Sequence, residues 1–175
     1  MIIRELERDE VQDVWTIDRS EVIDYIYYLR GGELVLEPEH YVMTGWPSGE
    51  AEAYTPLLLD CFDRGGTFWG AFDGDKLVGA AILESKFIGR TGDQLQLKFL
   101  HVSNTYRKQG LGRILFQKAA DKARELGATR LYVSATPSEN TVNFYLRLGC
   151  TVTDELDPEL FALEPEDIHL ECTIA

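Results

Sequence analysis

The chain has 175 residues, 45% hydrophobic and 27% charged, which suits one well-buried domain and excludes a disordered low-complexity protein. Its 30 acids against 17 lysines and arginines give a formal charge of −13, excluding nonspecific attraction to nucleic acid or an anionic membrane surface. Three cysteines, Cys61, Cys150 and Cys172, lack zinc or redox spacing and read as reduced and buried, while Met1–Leu6 shows no signal or membrane-span pattern, so a cytoplasmic location is expected.

Met1–Glu5 reads as a first strand, and Glu7–Ile17 as a helix with Val11, Val14, Trp15 and Ile17 on one face. Two apolar and aromatic runs, Tyr25–Leu29 and Glu33–Glu37, flank Gly31-Gly32 and predict a β-hairpin in an aromatic insertion near residues 22–47. Its Tyr25, Tyr27, Tyr28 and Tyr41, with Trp46, form either a recognition wall or a packed flap. Glu50–Asp63 follows as a helix with Leu58, Leu59 and Phe62 inward, starting near Thr55 or kinked because of Pro56. Thr67–Phe72 and Lys76–Leu83 then pair about the turn Asp73-Gly74-Asp75.

The most informative stretch runs from Gln94 to Gly127. Leu95, Leu97 and Phe99 alternate with Gln96, Lys98 and Leu100, which predicts a strand with His101 turned away from the Gln96–Lys98–Leu100 face. Leu111, Leu115, Ala119, Ala123 and Leu126 follow helical spacing. Between strand and helix lies Arg107-Lys108-Gln109-Gly110-Leu111-Gly112-Arg113. Helix-start amides have no internal partner, Gly110 and Gly112 leave them accessible, and the cations add charge, so a pyrophosphate is the natural guest. A third glycine for dinucleotide binding is missing at Leu115, and no Gly-Lys-Ser/Thr follows.

A second strand and helix come next, Ala128–Ser134 and Ser138–Gly149, the latter carrying Phe144-Tyr145. Asp154, Glu155, Asp157, Glu159, Glu164, Glu166 and Asp167 then cluster without a basic residue, as a solvated loop or as an electrostatic funnel for a cationic amine. Ile168–Ile174 alternates as a last strand, and the element order predicts a mixed α/β layer fold in a single domain, residues 1–175.

Arg107-x-x-Gly110-x-Gly112 after a strand ending at Val102, followed by Phe144-Tyr145 and Leu148-Gly149, resembles the GNAT superfamily of N-acetyltransferases. The resemblance covers Phe68 to about Thr153. It implies a mostly antiparallel central sheet splayed at the cofactor site, with helices on both faces, and acetyl-CoA as co-substrate without a metal. By the same resemblance the main chain at Leu100, His101 and Val102 pairs with pantetheine, residues 107–113 take the pyrophosphate, and Tyr145 protonates or hydrogen-bonds the sulfur; the family's cofactor-touching asparagine falls at Ser138, two residues before Asn140, which either touches the cofactor or caps the helix. The position where family branches carry a glutamate base is Gln96, which leaves Glu84 as first base candidate and His101 as second. A small-molecule or peptide amine is the implied acceptor, and a homodimer the implied assembly. A non-catalytic acyl-CoA-binding sensor is the alternative.

Overall fold

The computed structural model describes residues 1–174. Among the described residues the elements run β1 (Ile2–Glu5), a 3-10 helix (Arg8–Thr16), β2 (Glu21–Arg30), β3 (Glu33–Met43), α1 (Glu50–Asp63), β4 (Thr67–Asp73), β5 (Lys76–Leu83) and β6 (Gln94–Val102). Then come α2 (Leu111–Glu125), β7 (Arg130–Ala135), α3 (Glu139–Arg147), β8 (Thr151–Val152), α4 (Pro158–Leu163) and β9 (Ile168–Thr173). Seven strands form one sheet in the order β1-β4-β5-β6-β7-β9-β8, and β2 and β3 form a separate hairpin. The mixed, mostly antiparallel sheet with helices on both faces is the one expected.

Among the described residues only β6 and β7 run parallel, and they pair over just three positions, Gln94–Gln96 against Arg130–Tyr132. Beyond these the strands part, because β6 continues beside β5 through Val102 while β7 stays with β9 through Ala135. The main chain of β6 past Gln96 is thereby left without a strand partner on its β7 side. Such an edge can accept an added extended segment.

The same strand breaks the expected alternation. Ile82 stands opposite Phe99 and Leu83 opposite Leu97, so Lys98 is an extra residue, a β-bulge. Leu95, Leu97, Leu100 and Val102 consequently pack with the α2 cluster, whereas Phe99 packs with the 3-10 helix and α1. The prediction that His101 turns away from Gln96 and Lys98 is therefore wrong; it is Leu100 that does so.

On one face, α2 lays Leu111, Leu115, Phe116, Ala119, Ala120 and Ala123 on the sheet. Its small residues permit close approach, and a Cβ on Gly79 of β5 would meet Leu115 at 3.3 Å and Leu111 at 3.4 Å. The opposite face is closed by Val11, Val14, Leu58 and Cys61. Pro56 lies inside α1, which nevertheless runs unbroken from Glu50 to Asp63. Trp15 Nε1 donates to Thr55 Oγ1 at 2.8 Å and ties the 3-10 helix to this turn.

The hairpin is longer than predicted and turns on Gly31 and Gly32, whose φ of 58° and 82° suit a two-residue turn of strands with ordinary twist. Pro38 is tolerated because β3 is an edge strand. The acid-rich segment is not simply a loop: Asp157 Oδ1 accepts from the amides of Glu159 at 3.1 Å and Leu160 at 3.0 Å, and Pro158 opens α4. One further reading is corrected. Cys150 and Cys172 form a disulfide, since the antiparallel pairing of β8 with β9 brings together residues 22 apart in sequence; Cys61 alone is free and buried.

Candidate active site

The glycine turn is shaped from its sequence upward. Lys108, at φ 62°, is the only non-glycine residue with positive φ among those described, and Gly110 follows at φ 85°. These left-handed residues expose successive amides on one side, and Gly110 caps α2 without any side-chain hydrogen bond, leaving the first helix amides open. Gly112 has a separate reason: a Cβ there would meet the Phe144 ring at 3.3 Å. Lys108, Gln109 and Arg113 are exposed at this turn, and Leu111 is buried beneath it.

Arg107 does not point at the turn's open side. Its Nε donates to the Val102 carbonyl at 2.9 Å, and its Nη1 and Nη2 donate to the carbonyls of Ser20 at 3.2 Å and Asp18 at 3.3 Å. It is a strut between β6 and the segment entering the hairpin. Asn140 is exposed and donates to Glu21 Oε1 at 3.1 Å, so its contact is with β2. Tyr145 is buried at 5% exposure against Phe116 and Phe144, and its hydroxyl makes no side-chain hydrogen bond among the described residues. Burial pushes its phenol well above the ordinary range, which keeps the proton in place.

Glu84 stands apart from these groups. Its carboxylate accepts from Arg64 Nη1 at 2.6 Å, Arg64 Nη2 at 3.1 Å and the Ser85 amide at 3.0 Å, with Lys98 Nζ at 3.9 Å. Burial opposes its ionisation, yet the Arg64 hydrogen bonds, the Ser85 amide and Lys98 hold it below the usual carboxylate range. A carboxylate so engaged is a structural anchor. Glu84→Gln is expected to lower the melting temperature by about 4–8 °C, the effect of roughly 2 kcal/mol in a chain of this size, with less than threefold change in any acetyl transfer. Differential scanning calorimetry beside a rate assay checks this.

A cavity of about 170 Å³ opens on the face of β6 that carries Gln96, Lys98, Phe99 and His101. Trp15 and Trp46 wall it, Ser134 and Thr136 from the end of β7 border it, and Glu50, Tyr54, Glu164 and Asp167 close the far side. Trp46 packs edge-on to Trp15 at 4.8 Å and to His101 at 4.8 Å. Of the aromatic residues of the predicted insertion, Tyr25, Tyr27, Tyr28, Tyr41 and Trp46, Trp46 lines it; Tyr27 instead donates to Asn143 Oδ1 at 2.6 Å, which makes the hairpin a packed flap against α3.

The acidic side is held by hydrogen bonds. His169 Nε2 donates to the Glu164 carbonyl at 2.8 Å, which leaves Nδ1 to accept from the Tyr132 hydroxyl at 2.7 Å. Tyr54 donates to the Glu164 carboxylate, and Arg19 pairs with Glu50 at 3.2 Å. Burial raises Glu50 above the ordinary carboxylate range, against the pull of Arg19. Burial, with Glu164, Glu50 and Glu166 adding repulsion against Arg19, pushes Asp167 up to about 7. Burial, with Arg19 and Arg107 nearby, drives the His101 imidazole down to about 3, so it is neutral at physiological pH.

Sequence reasoning missed Glu50, Tyr54, Glu164 and Asp167 as residues of one wall. The acidic run and its funnel reading were the available signal, and Asp157-Pro158 was the signal for α4.

A sheet that opens between its two parallel strands, over a glycine turn and an uncapped helix start, offers a strand edge leading to an anion site. Residues 8–150 match the acetyltransferase (GNAT) family, and the chain belongs to that family. N-acetyltransferase 8B of Rattus norvegicus is 33% identical over 100 residues, which is 56% of this chain and 45% of that protein, so the match spans less than half of its length. The crystal structure of nourseothricin acetyltransferase superposes with a TM-score of 0.75 at 19% identity, covering 99% of this chain and 98% of that one. Aminoglycoside 6'-N-acetyltransferase complexed with coenzyme A gives a TM-score of 0.65 at 17% identity, covering 100% and 98%. At these identities the likeness shows the fold. Among the described residues no helix is long and apolar enough to cross a membrane.

Proposed function

We propose that the chain transfers the acetyl group of acetyl-CoA to a primary amine by direct attack in a ternary complex, and that the acceptor is a small cationic amine. The observation that carries this is the coincidence of two openings on β6. Its unpaired main-chain edge beyond Gln96 continues down to the glycine turn, and its Gln96–His101 face opens into the acid-walled cavity.

The residues present fit acetyl-CoA as co-substrate. Lys108, Gly110 and the first amides of α2, with Gln109, Leu111, Gly112 and Arg113, would hold the pyrophosphate, and the main chain at Leu100, His101 and Val102 would pair with pantetheine. An amide on that edge would stabilise the carbonyl oxygen as charge develops. Tyr145, protonated and uncommitted, would supply a proton to the departing sulfur. Asn140 acts through the hairpin in this reading, and Glu84 has no role in the chemistry because its carboxylate is committed to Arg64.

The cavity, smaller than the roughly 300 Å³ typical of sites that bury drug-sized ligands, suits a small amine or the amine-bearing end of a larger one. Solved structures of the same fold include those of nourseothricin acetyltransferase and aminoglycoside 6'-N-acetyltransferase. The test is coenzyme A release with a panel of aliphatic mono- and diamines, beside the melting temperature with acetyl-CoA. Stabilisation and turnover support the reading; stabilisation without turnover favours an acyl-CoA sensor; neither sinks both. Tyr145→Phe is expected to lower kcat about 10–100-fold with acetyl-CoA affinity within twofold of wild type.

A further inference from the structure

We infer that Asp167 is the base that deprotonates the acceptor amine and that the Gln96 amide positions that amine, an inference that rests on the acetyltransferase reading above.

Gln96 is the first observation. Its side chain is more than nine-tenths buried, at 8% exposure, lines the cavity, and makes no hydrogen bond among the described residues. Buried amides are normally paired. No fully buried side-chain polar atom is left without a partner among the described residues, so the Gln96 amide opens onto the cavity surface. It offers a carbonyl oxygen to an ammonium or amine N–H, and it cannot take the proton.

The base must then come from another wall. The groups facing Asp167 are Glu50 and Tyr54 from α1, Arg19 ahead of β2, Lys98 and His101 from β6, and Glu164 and Glu166 from its own segment. Most are unsuited. Glu164 is engaged by Tyr54, Glu50 by Arg19, and Lys98 lies 3.9 Å from Glu84. His101, driven down to about 3, is too weak a base at neutral pH. Asp167 has neither an ion pair nor a side-chain hydrogen bond among the described residues, and borders the same cavity as Gln96. Pushed up to about 7, it matches the strength that general-base catalysis favours near neutrality.

The step balances as follows. The acceptor ammonium gives one proton to the Asp167 carboxylate, and the freed nitrogen pair forms the N–C bond to the acetyl carbon. The C–S bond breaks with its electron pair on sulfur, and the second amine proton reaches the sulfur by way of Tyr145. Coenzyme A leaves as a thiol, and Asp167 returns its proton to solvent.

The experiment measures kcat/KM from pH 5.5 to 9.5 with the fastest amine of the aliphatic panel, for wild type, Asp167→Asn, Asp167→Glu and Gln96→Ala. Titration calorimetry with acetyl-CoA accompanies each. Wild type is expected to show a rising limb centred near pH 7. Asp167→Asn should lose that limb and fall about 100-fold at pH 7, with Asp167→Glu restoring part of both. Gln96→Ala should raise the amine KM about tenfold and keep the limb. All three variants should bind acetyl-CoA as wild type does. An Asp167→Asn enzyme with the wild-type limb and rate overturns the inference and leaves the acetyltransferase reading standing. If no amine of the panel is turned over by wild type, both fall together.

Discussion

Gly110→Glu is expected to weaken acetyl-CoA binding at least 100-fold, about 2.7 kcal/mol, while the fold survives. Gly110 sits at φ 85°, where a side chain costs about 1–2 kcal/mol, but a Cβ there meets nothing within 4 Å, so no neighbour is displaced. The new carboxylate would stand beside the amides that should receive a pyrophosphate, and it would repel the ligand those amides attract. Gly110→Ala carries the backbone strain without the charge. Titration calorimetry should therefore rank wild type above Gly110→Ala, and Gly110→Ala far above Gly110→Glu. Equal binding by all three would remove the glycine turn from the cofactor site.

The second large effect lies at the closed end of the short β6–β7 ladder. Arg130 donates to Asp93 Oδ1 at 2.9 Å, Glu155 Oε2 at 3.1 Å and Glu171 Oε2 at 2.9 Å, in the first residue pair of the parallel ladder. Arg130→Met would leave carboxylates of three different segments facing one another. With the group a fifth exposed, a loss of about 2–3 kcal/mol and a fall of roughly 4–10 °C in melting temperature are expected. The pH dependence has a definite sign. Hydrogen bonds from Arg130 and Thr129 hold Asp93 well below the usual carboxylate range, so the stabilisation is present above about pH 4 and is lost as the pH falls further. The gap between wild type and Arg130→Met should accordingly be full above about pH 4, narrow progressively below it, and close only where Asp93 itself takes a proton in the folded protein, so calorimetry at pH 7 and pH 3 should show a smaller but still open gap at pH 3.

How far the sequence could be read depended on whether a feature is local. The strand Gln94–Val102, the turn with Gly110 and Gly112, and the apolar stripe of α2 are set by neighbouring residues, and the periodicities located them within one or two positions. The tie between Cys150 and Cys172, the Arg64–Glu84 pair and the acidic wall around Asp167 join segments distant along the chain, and nothing in local spacing announces them. Glu84 illustrates the point. Its place at a strand end invited a catalytic reading, and only the fold shows Arg64 already occupying it. His101 failed for a different reason, since period-two reasoning assumes an unbroken ladder and the extra residue at Lys98 breaks it.

That extra residue also governs what changes of length this strand could survive. Two residue sets with incompatible requirements share β6: an apolar set that must meet α2, and the set of Gln96, Phe99 and His101 that must look across toward Trp46. Remove the residue at position 98 and the ladder becomes regular, with Leu97 and Leu100 still toward the helix and Phe99 and His101 still toward the cavity, whereas removing any second residue between 96 and 101 turns one of the two sets over. Position 98 is thus the one place in this strand where a residue can be lost without exchanging the two faces, and a deletion found at 98 but nowhere else between 96 and 101 would mark working descendants of the chain.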